Sequence, residues 1–369
     1  MLKQRMHGPD VLRGIAATGV VFFHVLYLSG LPINETAASV VGRFDFFVRI
    51  FFILSAFAIA NAYARNITDL DSIKRFYLKR FFRIAPLFYF MLAIGVLYSK
   101  AMGQPWPSAF EFLTSVSFLF QLIPGSNGLV GGGWSISIEW IFYALFPLFI
   151  SLIVGWRSAL LAWILLTSIA VLGRNHFTIF LNGELRVFGL LYILSHAQYF
   201  VLGLLLYFLT QRHPLLINNE KYKNVCGIAF CCTLAAIAIT FKINQRIPEE
   251  IFLSFFGFFL VLLSVIGLPR ILDNSASRWL GLISYSIYLV QFPIIQALRE
   301  HGIYNHINLL VGGGVNAFIF NSMLTICLVI AISTATYYTI ELPGQHLLTN
   351  LTALKKNLMQ IKNRNKKQI

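Results

Sequence analysis

Three groups of residues could do chemistry, and each lies in or beside an apolar stretch. The first is LRGIAATGVVFFH, residues 12–24, where Arg13 and His24 bracket ten residues that are otherwise apolar or small. Eleven steps of about 100° make three turns plus about 20°, so both side chains leave nearly one face of a helix, about 16 Å apart along its axis. His24 reads as a general base or as an interhelical hydrogen-bonding group. Arg13 reads as a site residue or as a snorkelling anchor. The second group is KRFYLKRFFRIAPLFYF from Lys74, with five cations in ten residues. Arg80 and Arg83 are three apart and share a helix face, which suits a phosphate clamp; a topology signal is the other reading. The third is GGGWSISIEWIFYALFPLF from Gly131, where Glu139 is the one acidic residue well inside a confident apolar span. A carboxylate there either orients His24, which is expected at similar depth, or hydrogen-bonds a Ser or Tyr on a neighbouring helix.

The elements that must position these groups are membrane helices. The chain has 369 residues, 57% hydrophobic and 12% charged, with 35 Phe and 15 Tyr. Soluble domains carry about 25% charged residues. The apolar runs are mostly about 17 to 25 residues long, which fits helices and excludes the shorter alternating strands of a barrel. The expected fold is an all-α polytopic bundle of about ten spans. They lie near Leu12–Gly30, Phe44–Ala64, Phe82–Tyr98, Ser135–Val154, Ser158–Leu172, Leu191–Leu209, Val225–Phe241, Ile251–Leu268, Trp279–Leu298 and Ala317–Thr339. An eleventh apolar stretch, Phe110–Ile123, is short and contains Glu111, so it is expected to be re-entrant or interfacial.

Charge sets the orientation. With ten spans and both termini in the cytoplasm, nineteen Lys and Arg fall in inner loops against seven in outer ones. An eleventh crossing removes that bias, so the ten-span arrangement is favoured. The net charge of +15 therefore reads as positive-inside bias and not as a nucleic-acid surface. The first apolar run, interrupted by Arg13 and His24, does not read as a cleaved signal peptide. Residues 1–345 read as one transmembrane domain and 346–369 as a basic cytoplasmic tail. Cys226, Cys231, Cys232 and Cys327 fall within spans, with no metal-ligand or disulfide spacing, so no metal is expected. No G-x-S-x-G elbow or H-E-x-x-H motif is present to suggest a hydrolase or metalloprotease.

Taken together, the stretches resemble the acyltransferase-3 family of integral membrane acyltransferases, from about Asp10 to Pro343. The motifs that carry the resemblance occur in family order. They are LRGIAATGVVFFH, FFILSAF (Phe51 to Phe57), RFFRIAPLF, WSISIEWIFYALFP (Trp134 to Pro147), LGLISYSIYL (Leu280 to Leu289) and ELP (Glu341 to Pro343). The resemblance implies transfer of an acyl group, acetyl or succinyl, from cytoplasmic acyl-CoA (acetyl-CoA above all) as co-substrate. The implied acceptor is a carbohydrate hydroxyl, as in O-antigen, capsule, exopolysaccharide or periplasmic glucan, at a bacterial inner membrane. It implies His24 as catalytic base with Arg13 essential beside it, Arg80 and Arg83 holding the donor together with Arg13, and Glu139 supporting the site. Trp134, Ser137, Tyr285 and Gln291 are its implied substrate-binding residues.

The chain departs from the family pattern in three places. Ala56 replaces a usual Gly, a small-for-small change. Arg49 stands where an acidic or small polar residue is common, with Asp45 as candidate counter-ion. Gln291 stands where a His is frequent, and an amide there can still hydrogen-bond. The expected path runs from donor phosphates at the arginines to a thioester near His24, which either deprotonates the sugar hydroxyl or carries the acyl group itself. The rival reading is a transporter or flippase in which Arg13, His24 and Glu139 relay protons.

Overall fold

The computed structural model describes residues 6–31, 33–123, 126–180, 189–217, 219–240 and 248–347. Among them the fold is all-helical: α1 (Gly8–Leu28), α2 (Glu35–Val41), α3 (Phe46–Tyr63), α4 (Leu70–Ala101), α5 (Ala109–Val116), α6 (Gly133–Leu152) and α7 (Trp156–Phe180). Then follow α8 (Gly189–Arg212), α9 (Lys223–Thr240), α10 (Glu249–Ile266), α11 (Ser275–Leu282), α12 (Ser284–Glu300), α13 (Ile303–Leu310) and α14 (Gly314–Thr336). Seven described helical segments are long and apolar enough to cross a membrane, and the bent pair α11–α12 makes an eighth. Helices α7 and α9 coincide with the two remaining expected segments. Large apolar side chains such as Leu97, Leu148, Leu161 and Phe320 face outward, more than half exposed. Outward apolar surface of this kind is the mark of helices solvated by lipid. The basic tail expected over 346–369 lies almost wholly outside the described residues.

Helix α1 is central. It packs against α3, α10, α11, α12 and α14, and Leu12, Ala16, Ala17, Val20 and Val25 are fully buried. Close approach depends on small residues, since helices in lipid gain most from van der Waals contact. A Cβ on Gly281 of α11 would sit 1.9 Å from the Asp10 carbonyl oxygen of α1. Likewise, a Cβ on Gly203 of α8 would sit 2.4 Å from the Ile53 carbonyl oxygen and 2.7 Å from Ala56 Cβ in α3. Ala56 thus serves the close packing for which a small residue is needed.

Two elements, α4 and the Trp279–Leu298 segment, differ from the sequence expectation. Helix α4 begins at Leu70, well before the apolar run, through a capping box in which Asp69 and Ser72 satisfy each other's backbone N–H groups. Its 32 residues span about 48 Å, more than the roughly 30 Å hydrocarbon core, so its basic first turns project beyond lipid. Pro86 is therefore in the helix interior. The segment expected as one span over Trp279–Leu298 is broken at Ile283 with a 68° bend between α11 and α12. There Ser284 Oγ donates to the Gly281 carbonyl at 2.8 Å, replacing a backbone partner at the break. The Phe110–Ile123 stretch forms only the eight-residue α5 and a 3₁₀ turn at Phe120–Leu122. Its acid, Glu111, is a capping residue: its Oε2 accepts from Ser108 N at 2.9 Å, which holds the carboxyl below its ordinary pKa.

Candidate active site

Glu139 defines one helix face. Positions four residues either side of it share that face, and these are Ser135 and Tyr143. All three line a cavity of about 200 Å³. The Glu139 carboxylate accepts hydrogen bonds from Ser55 Oγ of α3 and from the Tyr143 hydroxyl one turn along α6. Two donors on a carboxylate in an apolar bundle offset part of the cost of burying its charge.

Three arginines line the same cavity. Arg13 reaches it from α1; its Nη1 donates to Asp10 Oδ1 at 3.1 Å and its Nη2 to the Leu54 carbonyl at 3.4 Å, which ties α1 to α3. Arg80 and Arg83 reach it from α4, on the shared face that their spacing requires. The Arg80 guanidinium lies 5.5 Å from the Tyr63 ring centroid and 5.9 Å from that of Tyr143. Its Nε is buried without a hydrogen-bond partner. A buried unpaired guanidinium donor costs energy that an anionic ligand in the cavity would recover. Tyr285, which also lines the cavity, donates its hydroxyl to the Ile84 carbonyl at 2.8 Å, in the turn of α4 before Pro86.

His24 stands just beyond this cavity. At the cavity's far end, Ser135 Oγ and the Tyr288 hydroxyl share a 2.7 Å hydrogen bond, and Tyr288 also donates to the Gly132 carbonyl at 3.1 Å. One turn further along α12, Gln291 Oε1 lies 3.0 Å from His24 Nδ1. Gln291 is fully buried, and its Nε2 donates to the Tyr288 carbonyl at 2.8 Å. That second bond fixes which way the amide points, so its oxygen must accept from His24 Nδ1–H. Neutral His24 is thereby held in the tautomer whose Nε2 keeps a free lone pair. The Phe292 ring packs on the imidazole, centroids 4.4 Å apart.

The structure brings Arg13, Arg80, Arg83, Glu139 and Tyr285 to one cavity, with His24 one helical turn past its end. It does not pair His24 with Glu139: Gln291 occupies the Nδ1 side, and Ser55 and Tyr143 occupy the carboxylate. Gln291 has both amide ends engaged inside the protein, so it supports His24 and is not placed to contact substrate. Ser137 is turned about 200° from Ser135 on α6. It is fully buried, donating to the Phe118 carbonyl at 2.6 Å and accepting from Gln121 N at 3.2 Å. Ser137→Ala is expected to lower stability by about 1–2 kcal/mol while leaving substrate KM unchanged, as read by melting temperature in detergent and initial rates. Trp134 packs edge-on against Phe52 and His196 at 6.5 and 5.6 Å, and Ser135 takes the cavity-lining place beside it.

Ser55, Ser135, Tyr143 and Tyr288 join the cavity without having been singled out by sequence, although the four-residue period from Glu139 marks Ser135 and Tyr143. Glu341, too, has no role assigned from sequence. A π-turn over Tyr337–Glu341 ends α14 and buries Glu341, whose Oε2 accepts from Ser286 Oγ at 2.9 Å. Such turns recur at functional sites. Arg49, by contrast, pairs with the expected counter-ion, Asp45 Oδ2, at 2.7 Å.

These features define an integral membrane helical bundle with a charged cavity beside a histidine of fixed tautomer. The chain belongs to the acyltransferase-3 family, whose model, described as an acyltransferase domain, matches residues 6–338. It is 24% identical to the peptidoglycan O-acetyltransferase OatA of Listeria monocytogenes, over 78% of this chain and 49% of the relative. It is 25% identical to the putative peptidoglycan O-acetyltransferase YrhL of Bacillus subtilis, over 78% of this chain and 48% of the relative. A shorter match, 30% identical, covers 37% of this chain and 78% of protein 2 in the picA locus of Rhizobium radiobacter. The chain thus spans about half the length of the first two of these relatives. No solved structure matches it.

Proposed function

We propose that the chain transfers an acyl group, acetyl first among the candidates, from cytoplasmic acyl-CoA to a hydroxyl of a cell-envelope carbohydrate. The observation that carries this reading is the cavity in which three arginines and one carboxylate converge inside an apolar bundle, with the Arg80 Nε unbonded. Grouping guanidiniums in this way is costly unless an anionic ligand joins them. Both long relatives are named as O-acetyltransferases of a glycan polymer, which supports acetyl and carbohydrate here. Ten crossings with both termini inside put the arginine end of the bundle at the cytoplasmic face of a bacterial inner membrane. In that arrangement residues 1–345 are the transmembrane domain and 346–369 the cytoplasmic tail.

Arg80 and Arg83 bind donor phosphates through guanidinium forks, with Arg13 deeper on the same path. The thioester arm runs along α1 and α12 towards His24, a distance of about 16 Å along the helix axis. Opening of the Ser135–Tyr288 hydrogen bond admits it past the cavity's far end. His24 Nε2 takes the proton of the acceptor hydroxyl as that oxygen attacks the thioester carbonyl. The carbon–sulfur bond breaks, the new ester forms on the acceptor, and the imidazolium returns the proton to the departing sulfur.

Purified protein in detergent, given acetyl-CoA and a soluble glycan fragment from the envelope, is expected to release free CoA only when the glycan is present. Absence of acceptor-dependent release across envelope glycans overturns the reading. Gln291 supplies a second check. Gln291→Leu removes the Nδ1–H acceptor and frees the tautomer, so kcat is expected to fall about tenfold with donor KM unchanged, and Gln291→Glu to recover most of the loss. A fall in melting temperature with unchanged kcat would assign Gln291 to structure alone.

A further inference from the structure

On the side of His24 opposite the arginines the bundle holds a second, larger space of about 830 Å³. It lies between the C-terminal halves of α4 and α12 and the loop before α6, and Phe292, Gly131 and Gly95 contribute to its walls. Helix α12 is common to both spaces: Tyr285 and Tyr288 face the arginine cavity, whereas Leu289 and Phe292 face this groove. Gln291, between the two sets, holds His24. Phe292 therefore touches the imidazole on one side and forms the groove wall on the other. Gly131 and Gly132 lie flat against that ring: a Cβ at either would come within 2.7 and 2.4 Å of it. The ring is the partition between groove and imidazole.

The mouth of the groove is polar. Tyr98 donates its hydroxyl to the Glu300 carboxylate, and Gln296 Nε2 donates to Glu300 Oε1 at 3.1 Å. Glu300 and Gln296 are exposed, and two of the four acceptor sites of the carboxylate remain for other donors. Glu300 is nine residues beyond Gln291 on α12, about 13 Å along the axis. A planar aromatic wall below and hydroxyl, amide and carboxylate groups above match a ligand with apolar ring faces and many hydroxyls.

We infer that this groove is the acceptor subsite: it binds a carbohydrate chain, with Glu300, Gln296 and Tyr98 bonding its hydroxyls and a turn of the Phe292 ring opening the way for one hydroxyl to His24 Nε2. The inference rests on the acyltransferase reading for the chemistry at His24, but binding in the groove is measured without it. In a protein whose four native cysteines are replaced by Ala, Ser99→Cys places a thiol on the exposed groove wall. A membrane-impermeant maleimide labels it at a measurable rate. A soluble glycan-strand fragment from a muramidase digest of peptidoglycan is expected to slow labelling at least fivefold, and a short-chain phospholipid is not. Glu300→Gln is expected to weaken that protection about tenfold without changing donor KM. If the fragment is acylated but gives no protection, the groove assignment is wrong and the acyltransferase reading stands. If phospholipid protects as well as glycan, the groove is a lipid site and the inference fails. Protection by the fragment without acylation supports the groove and counts against the acyltransferase reading.

Discussion

His24→Ala is expected to lower acceptor-dependent release of CoA by about 10²–10⁴-fold, the span associated with loss of a positioned general base. On the proposed path the donor phosphates sit at Arg80 and Arg83, beyond Arg13, which is itself about 16 Å from His24 along α1, so donor affinity is expected to stay within twofold of wild type. The side chain is only partly buried, and its described contacts are hydrogen bonds to Gln291 and to the Val20 backbone and ring contacts with Phe23 and Phe292. Fold stability is therefore expected to change little. His24→Gln is an informative companion, since it can still bond Gln291 but has no ring nitrogen to take the proton. Activity near wild type in either variant would remove His24 from the chemistry and leave it as an interhelical tie.

The second large effect is on the donor. Charge-assisted hydrogen bonds are each worth about 1.5–3 kcal/mol, so Arg80→Ala and Arg83→Ala are each expected to raise the acyl-CoA Kd about 10- to 150-fold. Arg80 also stacks over Tyr63 and Tyr143, so its removal will loosen packing as well. The lysine variants separate the two contributions. Arg80→Lys and Arg83→Lys keep the charge and lose the planar fork, and affinity is expected to fall clearly in both. Dephospho-CoA thioesters, which lack one phosphate, should lose less affinity in these variants than acyl-CoA does. Titration by isothermal calorimetry in detergent checks this; unchanged donor affinity in Arg80→Lys and Arg83→Lys would place the donor elsewhere.

Sequence and structure agree most closely where hydropathy and helical period act alone. The apolar runs appear as helices, and the three-residue spacing of Arg80 and Arg83 put both on one cavity wall. The start of α4 was not legible, because hydropathy marks where lipid begins and not where hydrogen bonding begins; the Asp69 cap lies thirteen residues before Phe82, where the apolar run starts. Partnerships across helices were equally hidden. Gln291 and His24 are 267 residues apart, and position along a helix, which pointed to Glu139, does not say which neighbouring helix a side chain faces. Ser137 was a different kind of miss. Its register against Glu139 already placed it off the cavity face, and the motif it belongs to obscured that arithmetic.

Acyl transfer and transport differ in whether a covalent bond is made. The most direct test incubates purified wild-type protein with deuterium-labelled acetyl-CoA and a soluble envelope glycan, then records the mass spectrum of the recovered glycan. Acyl transfer is expected to give a glycan carrying one labelled acetyl group as a base-labile ester, formed with one equivalent of free CoA and absent with His24→Ala. Glycan recovered unlabelled, while the same protein in liposomes moves glycan or donor across the bilayer, would contradict it.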